Sequence, residues 1–143
     1  VTFLSGAFGL ALMAAILWGC GAFLEKIAMK GGDPMAGVFI RAAVAFVASA
    51  GFFTMAPHGW RPLTGSPPLS IILFVITGIT SMVLGQALFF QALRHGEASR
   101  VVPISGTYPL IAAILSVIFL GEPLTAKKAI AVLLIVSGIA LLK

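Results

Sequence analysis

Not one charged residue lies between Arg61 and Arg94. An uncharged, largely apolar run of that length crosses a lipid bilayer comfortably, since about 20 apolar residues in a helix span the hydrocarbon core. Several runs of this kind follow one another along the chain. Apolar residues make up 60% of the sequence and charged residues only 9%, against roughly 25% charged in a soluble domain. A chain of 143 residues folded in water would leave too much of this apolar surface exposed, because small domains bury a limited fraction of their area. Lipid is therefore the expected solvent. Backbone groups in lipid must bond internally, which predicts helices, and the alternation of a barrel strand is absent.

Charges and turn residues divide residues 1–143 into five apolar segments of one all-α, integral membrane domain. The first helix is predicted from Ser5 to Ile27 and ends at Lys30-Gly31-Gly32, a glycine stop. Asp33-Pro34 reads as an N-cap followed by a first-turn proline, opening a second helix over Pro34–Met55. Pro57–Pro68 holds four prolines and two glycines and is predicted as a loop. A third helix is predicted from Leu69 to Leu93, with a turn at Arg94-His95-Gly96-Glu97. Ser99 is the expected cap of a fourth helix reaching Leu120. Gly121-Glu122-Pro123 breaks the chain, and Thr125 caps a fifth helix ending at Leu142. This last span is the shortest, and it suffices if Lys127 and Lys128 snorkel to the interface. A four-span alternative would lay this segment on the surface, but Ala129–Leu142 has no polar face.

The first run is expected to be a true span. It lacks a basic leader and continues uncharged from Val1 to Leu24, longer than a signal-peptide core. Because the chain begins at Val1 and not at Met, a few preceding residues are expected. Basic residues between the spans set the orientation. One side would hold Arg61, Lys127 and Lys128; the other Lys26, Lys30, Arg94, Arg100 and Lys143, with Arg41 nearby. The second side is expected to be cytoplasmic, with the N-terminus outside and the C-terminus inside. The basic residues are scattered as membrane anchors and form no nucleic-acid footprint. Cys20 stands alone inside an apolar run, so it makes no intramolecular disulfide and founds no metal site.

Helices in lipid associate by close packing. Ala7, Ala11, Ala15 and Gly19 form a small-residue stripe, as do Thr77, Ser81 and Gly85, and Ala112 with Ser116. These predict packing seams in a tight bundle. The bulkier Val132–Val136 would face lipid or a partner.

The stretch Ala87–Leu142 resembles the C-terminal part of an EamA-type domain of the drug/metabolite transporter superfamily. The resemblance rests on Ala92-Leu93, Gly96-Glu97-Ala98-Ser99, Val102-Pro103, Tyr108-Pro109, Leu120-Gly121-Glu122-Pro123-Leu124-Thr125 and Gly138. Trp18-Gly19, Lys26 and Arg41 are similar to the family pattern in the N-terminal part. The resemblance implies an EamA-like five-helix bundle. In double-length members two such units of inverted topology enclose a substrate path, a general transporter design. It further implies a half-unit that moves a small metabolite or amphiphilic compound across the cytoplasmic (inner) membrane, together with a second copy or a paired five-helix relative. The alternative is a non-transporting accessory subunit of a larger membrane complex.

Ionisable groups within a membrane require a reason. Arg41 stands about 10 Å into its helix at 1.5 Å per residue. It either snorkels to the interface, or faces a polar cavity and pairs with an anionic substrate or with Glu25. Glu25 and Lys26 either form a solvated interfacial pair, or Glu25 is a proton-coupling carboxylate. Gln86 lies mid-helix, and its amide must bond a neighbouring helix or cargo. Trp18 is a pocket wall or a packing residue. Tyr108-Pro109, with Pro103 before it, interrupts the fourth helix, and such breaks line cavities. Trp18, Arg41, Gln86 and Tyr108 are thus the expected substrate-binding residues and Glu25 the coupling residue. Glu122 is expected to pair with Lys127 or Lys128, and His58 and His95 to be solvated. The four carboxylates are isolated in sequence, and no phosphate-cradling loop or His-x-x-x-His pair is present. No catalysis, metal or cofactor is expected.

Overall fold

The computed structural model describes residues 6–57 and 59–141, and every regular element among them is a helix. The chain divides into two compact units between His95 and Gly96. In the first unit, α1 covers Ala7–Ala28 and α2 covers Pro34–Met55. The predicted start of α1 at Ser5 lies outside the described residues. After α1, the Gly32 N–H bonds the Ala28 carbonyl at 2.9 Å. A Cβ on Gly32 would stand 2.7 Å from that same oxygen, so only glycine fits the turn. The Asp33 side chain then accepts from the Ala36 N–H at 2.9 Å. This cap and the proline behind it start α2 at the predicted residue.

The predicted loop over Pro57–Pro68 contains one short helix, α3 (Arg61–Thr64). Pro62 falls in its first turn, where a missing N–H breaks no ladder bond. Trp60 stacks on Phe53 with ring centroids 5.5 Å apart. His58 lies outside the described residues. The third long helix runs from Pro68 to His95, so Arg94 and His95 belong to it and not to a turn. It consists of α4 (Pro68–Thr77), a π-helical stretch Gly78–Gly85, and α5 (Gln86–His95). The π-helical stretch was not expected from sequence.

The buried apolar side chains of this unit include Ala22, Met29, Pro34, Val38, Phe90 and Leu93. They gather at the end of α1, the start of α2 and the end of α5. A Cβ on Gly37 would meet the Phe90 ring at 2.9 Å and Met29 Cε at 3.4 Å. Gly37 thus lets α2 pack closely on the Phe90 ring of α5. The predicted seams lie elsewhere: Ala7, Ala11, Ala15, Gly19, Thr77, Ser81 and Gly85 are all exposed. Small residues at four-residue spacing permit close packing but do not compel it, and a Cβ on Gly19 would meet nothing within 4 Å.

The second unit holds α6 (Ala98–Ser105), α7 (Tyr108–Leu120) and α8 (Ala126–Ala140). The N-cap of α6 is Glu97, without a side-chain capping bond, and not Ser99. The helix breaks at Gly106-Thr107 and restarts at Tyr108 with Pro109 in its first turn. Pro109 has no N–H to give the Ser105 carbonyl, so an unbroken ladder could not pass this point. Gly121 closes α7 in the left-handed conformation at φ +66°, as glycine does at many helix ends. Thr125 Oγ1 accepts from the Lys128 N–H at 3.3 Å and opens α8. The predicted end at Leu142 lies outside the described residues.

Among the described residues, four helical stretches are long and apolar enough to cross a membrane: Ala7–Ala28, Pro34–Met55, Pro68–His95 and Ala98–Leu120. The fifth apolar segment is a helix of 15 residues, α8, shorter than these.

Candidate functional site

Two neighbouring residues of α1 reach to two different helices. The Glu25 carboxylate forms an ion pair with the Arg41 guanidinium of α2. Lys26 Nζ donates to the Leu93 carbonyl of α5 at 2.6 Å. Successive side chains on a helix diverge by about 100°, so adjacent residues serve two neighbours. The Leu93 carbonyl is one of the last four of its helix and has no ladder donor; a lysine there also meets the negative end of the helix dipole. Glu25 is only 17% exposed while Arg41 retains 45%. The carboxylate is thus withdrawn, and the guanidinium provides the countercharge that makes withdrawal tolerable.

Gln86 lies on the same helix one turn before Phe90, and Arg41 lies one turn after Gly37. Because the start of α2 touches the end of α5, the two helices run in opposite directions. One turn back on one and one turn on along the other therefore reach the same level. Gln86 and Arg41 stand at that level. The Gln86 Nε2 is buried and has no hydrogen-bond partner among the described residues. The residue follows directly on the π-helical stretch.

Trp18 is 62% exposed and sits two turns, about 10 Å, before Glu25. Tyr108 belongs to the second unit, where it is the first residue of α7 and 56% exposed. Structure thus joins Glu25 to Arg41 directly and sets Gln86 at their level. Lys26 caps the end of α5 through the Leu93 carbonyl. Its role, like that of Gly37 and Phe90, depends on contacts between residues far apart in sequence and leaves no local signal.

In the second unit, α7 and α8 border a groove of about 690 Å³ lined by Leu110, Ile114, Val117, Val132 and Ile135. Glu122 and Lys128 also line it and pair at 3.2 Å, as the sequence predicts. Glu97 pairs with Arg100 at 3.5 Å. His95 is exposed and so is Cys20. Among the described residues, no group of His, Cys, Asp and Glu side chains is arranged to hold a metal ion.

The uncharacterized protein PA1977 of Pseudomonas aeruginosa is 32% identical over 97% of this chain and 46% of its own length. The uncharacterized transporter YvbV of Bacillus subtilis is 32% identical over 92% of this chain and 43% of its own. The uncharacterized protein MJ1333.1 of Methanocaldococcus jannaschii is 42% identical over 50% of this chain and 53% of its own. The chain spans about half the length of these curated relatives. No solved structure matches. The model of the EamA-like transporter family matches residues 5–143. With four span-capable helices among its described residues and the family model matching nearly its whole length, the chain belongs to the EamA-like transporter family.

Proposed function

We propose that this chain is a five-span half-unit of a transporter that moves a small metabolite or amphiphilic compound across the cytoplasmic membrane. It works with a second five-helix unit of inverted orientation, supplied by another copy or by a paired relative. The Glu25–Arg41 ion pair carries the reading. Two opposite charges between apolar helices are expensive to maintain in lipid, and a polar path is the function that repays them. Relatives of about twice this length support the need for a second unit. Gln86 adds a hydrogen-bonding group at the level of Arg41, and Trp18 and Tyr108 supply aromatic faces. Glu25 is the carboxylate through which a proton gradient would couple. The N-terminus lies outside and the C-terminus inside, from the placement of the basic residues. No chemical transformation of the cargo is part of this reading.

Reconstitution into liposomes tests it. Flux of a metabolite pool down an imposed proton gradient, lost in Arg41→Gln and Glu25→Gln, is the expected result. Cross-linked pairs should retain flux, and isolated single copies should have none. A well-folded protein that moves nothing in any pairing would instead be a non-transporting accessory subunit.

A further inference from the structure

Within the third helix, the backbone ladder changes its step twice. At Gly78 the N–H still reaches the Phe74 and Val75 carbonyls, four and three residues back; by the end of the π-helical stretch Gly78–Gly85 the step is five, and from Gln86 onward the helix is again α-helical. The Gln86 N–H reaches both the Ser81 and the Val83 carbonyls and so passes over the carbonyl of Met82. Returning from a five-residue to a four-residue step always leaves one carbonyl more than there are donors, here within the turn Met82–Leu84. No water reaches such a group in a bilayer, so it needs a partner.

Thr80 Oγ1 donates to the Ile76 carbonyl at 2.8 Å and Thr77 Oγ1 to the Phe74 carbonyl at 3.0 Å. Both hydroxyls are used up at the start of the π-helical stretch, not at its end. At the end stands Gln86, whose Nε2 is buried and has no partner among the described residues. Helical side chains in general lean toward the N-terminus, and that is the side of Gln86 on which the surplus carbonyl lies. An amide donor and a backbone acceptor, both short of partners, adjoin on one helix.

We propose that the turn Met82–Leu84 and the Gln86 amide form a neutral binding site for an uncharged group that both donates and accepts, a primary amide or a hydroxyl on an apolar body. This deepens the transporter reading and rests on it, since it names the chemistry of the cargo. A charged head group is disfavoured. Arg41 is already neutralised by Glu25, and an amide and a carbonyl offer no countercharge. The π-helical stretch is what creates the site, because an unbroken α-helix would have no surplus carbonyl.

Three ligands of one shape separate the requirements. Benzamide donates and accepts, N,N-dimethylbenzamide only accepts, and benzoate is charged. Binding to the full chain in lipid nanodiscs is measured by ligand-observed NMR titration. Benzamide should bind at least about tenfold more tightly than either of the others, the effect of leaving the buried carbonyl acceptor unpaired. Gln86→Leu should abolish that preference. Deleting Met82, which returns the ladder to an unbroken α step, should abolish it as well. Equal binding of the two amides overturns the proposal, and so does no binding at all or an unchanged preference in Gln86→Leu. The comparison on the unaltered chain stands even if both variants misfold. Flux is measured separately: the benzamide preference without flux would sink the transporter reading alone, and flux without the preference would sink this inference alone.

Discussion

Lys26 Nζ donates to the Leu93 carbonyl at 2.6 Å, across 67 residues of sequence. One side chain thus ties the end of α1 to the end of α5. Leu93 is fully buried, so water cannot replace this donor. Lys26→Met keeps the aliphatic stem and removes the charge. It should lower the stability of the first unit by about 1.5–3 kcal/mol, the range for a hydrogen bond to a charged group. Lys26→Arg should restore part of the loss. Thermal unfolding followed by circular dichroism in one detergent checks both.

Gly37 packs closely against the Phe90 ring of α5. A Cβ there would lie 2.9 Å from the Phe90 ring, so Gly37→Ala must push the ring aside. Overpacking of this kind costs about 1–3 kcal/mol. Because the obstacle is a side chain and not backbone, trimming it should relieve the strain. Gly37→Ala with Phe90→Leu should be more stable than the sum of the two single effects implies. A double-mutant cycle on melting temperature measures the coupling, and strict additivity would mean that the ring yields freely.

The Glu25–Arg41 pair gives a prediction of order. Removing one partner strands a charge, while removing both leaves two polar neutral groups. Glu25→Gln and Arg41→Gln should each lower the melting temperature more than the double variant does. Glu25 is the more withdrawn of the two, so Arg41→Gln should be the more harmful single change. If the pair were a solvated surface contact, all three variants would melt together with the parent.

Local chemistry made much of this fold legible. Asp33 with Pro34 fixed the start of α2, and Gly121 and Thr125 marked the break before α8, because caps are decided by a few adjacent residues. Glu122 and Lys128 lie only six residues apart across that break, and their pairing was likewise readable. The π-helical stretch was not, since periodicity carries no register when every face of a helix is apolar. The break before Tyr108 was foreseen, but its position at Gly106-Thr107 was set by where Pro109 withdraws a donor. The candidate site divides in the same way. Arg41 and Glu25 were noticed because charge is rare in such a chain, whereas the cap at Leu93 and the contact at Gly37 depend on tertiary register alone.

The last prediction concerns the number of crossings. α8 has 15 residues, about 22 Å at 1.5 Å per residue, against a hydrocarbon core of about 30 Å. Lys127 and Lys128 sit at its start, where their stems can reach the interface, and thinning of the bilayer absorbs the remainder at modest cost. Cysteines are introduced singly in a Cys20→Ala background at Gly31, Thr64, Glu97, Leu124 and Leu141, and intact cells are treated with a membrane-impermeant maleimide. Thr64 and Leu124 should label from outside; Gly31, Glu97 and Leu141 should label only after permeabilisation. The reverse pattern at all five positions would invert the orientation and keep the five crossings. Labelling at both sets in one preparation would mean two-way insertion. Leu124 and Leu141 isolate the question of α8, because they flank it and nothing else. If both label from outside while the other three positions behave as expected, α8 lies on the surface and the chain crosses four times.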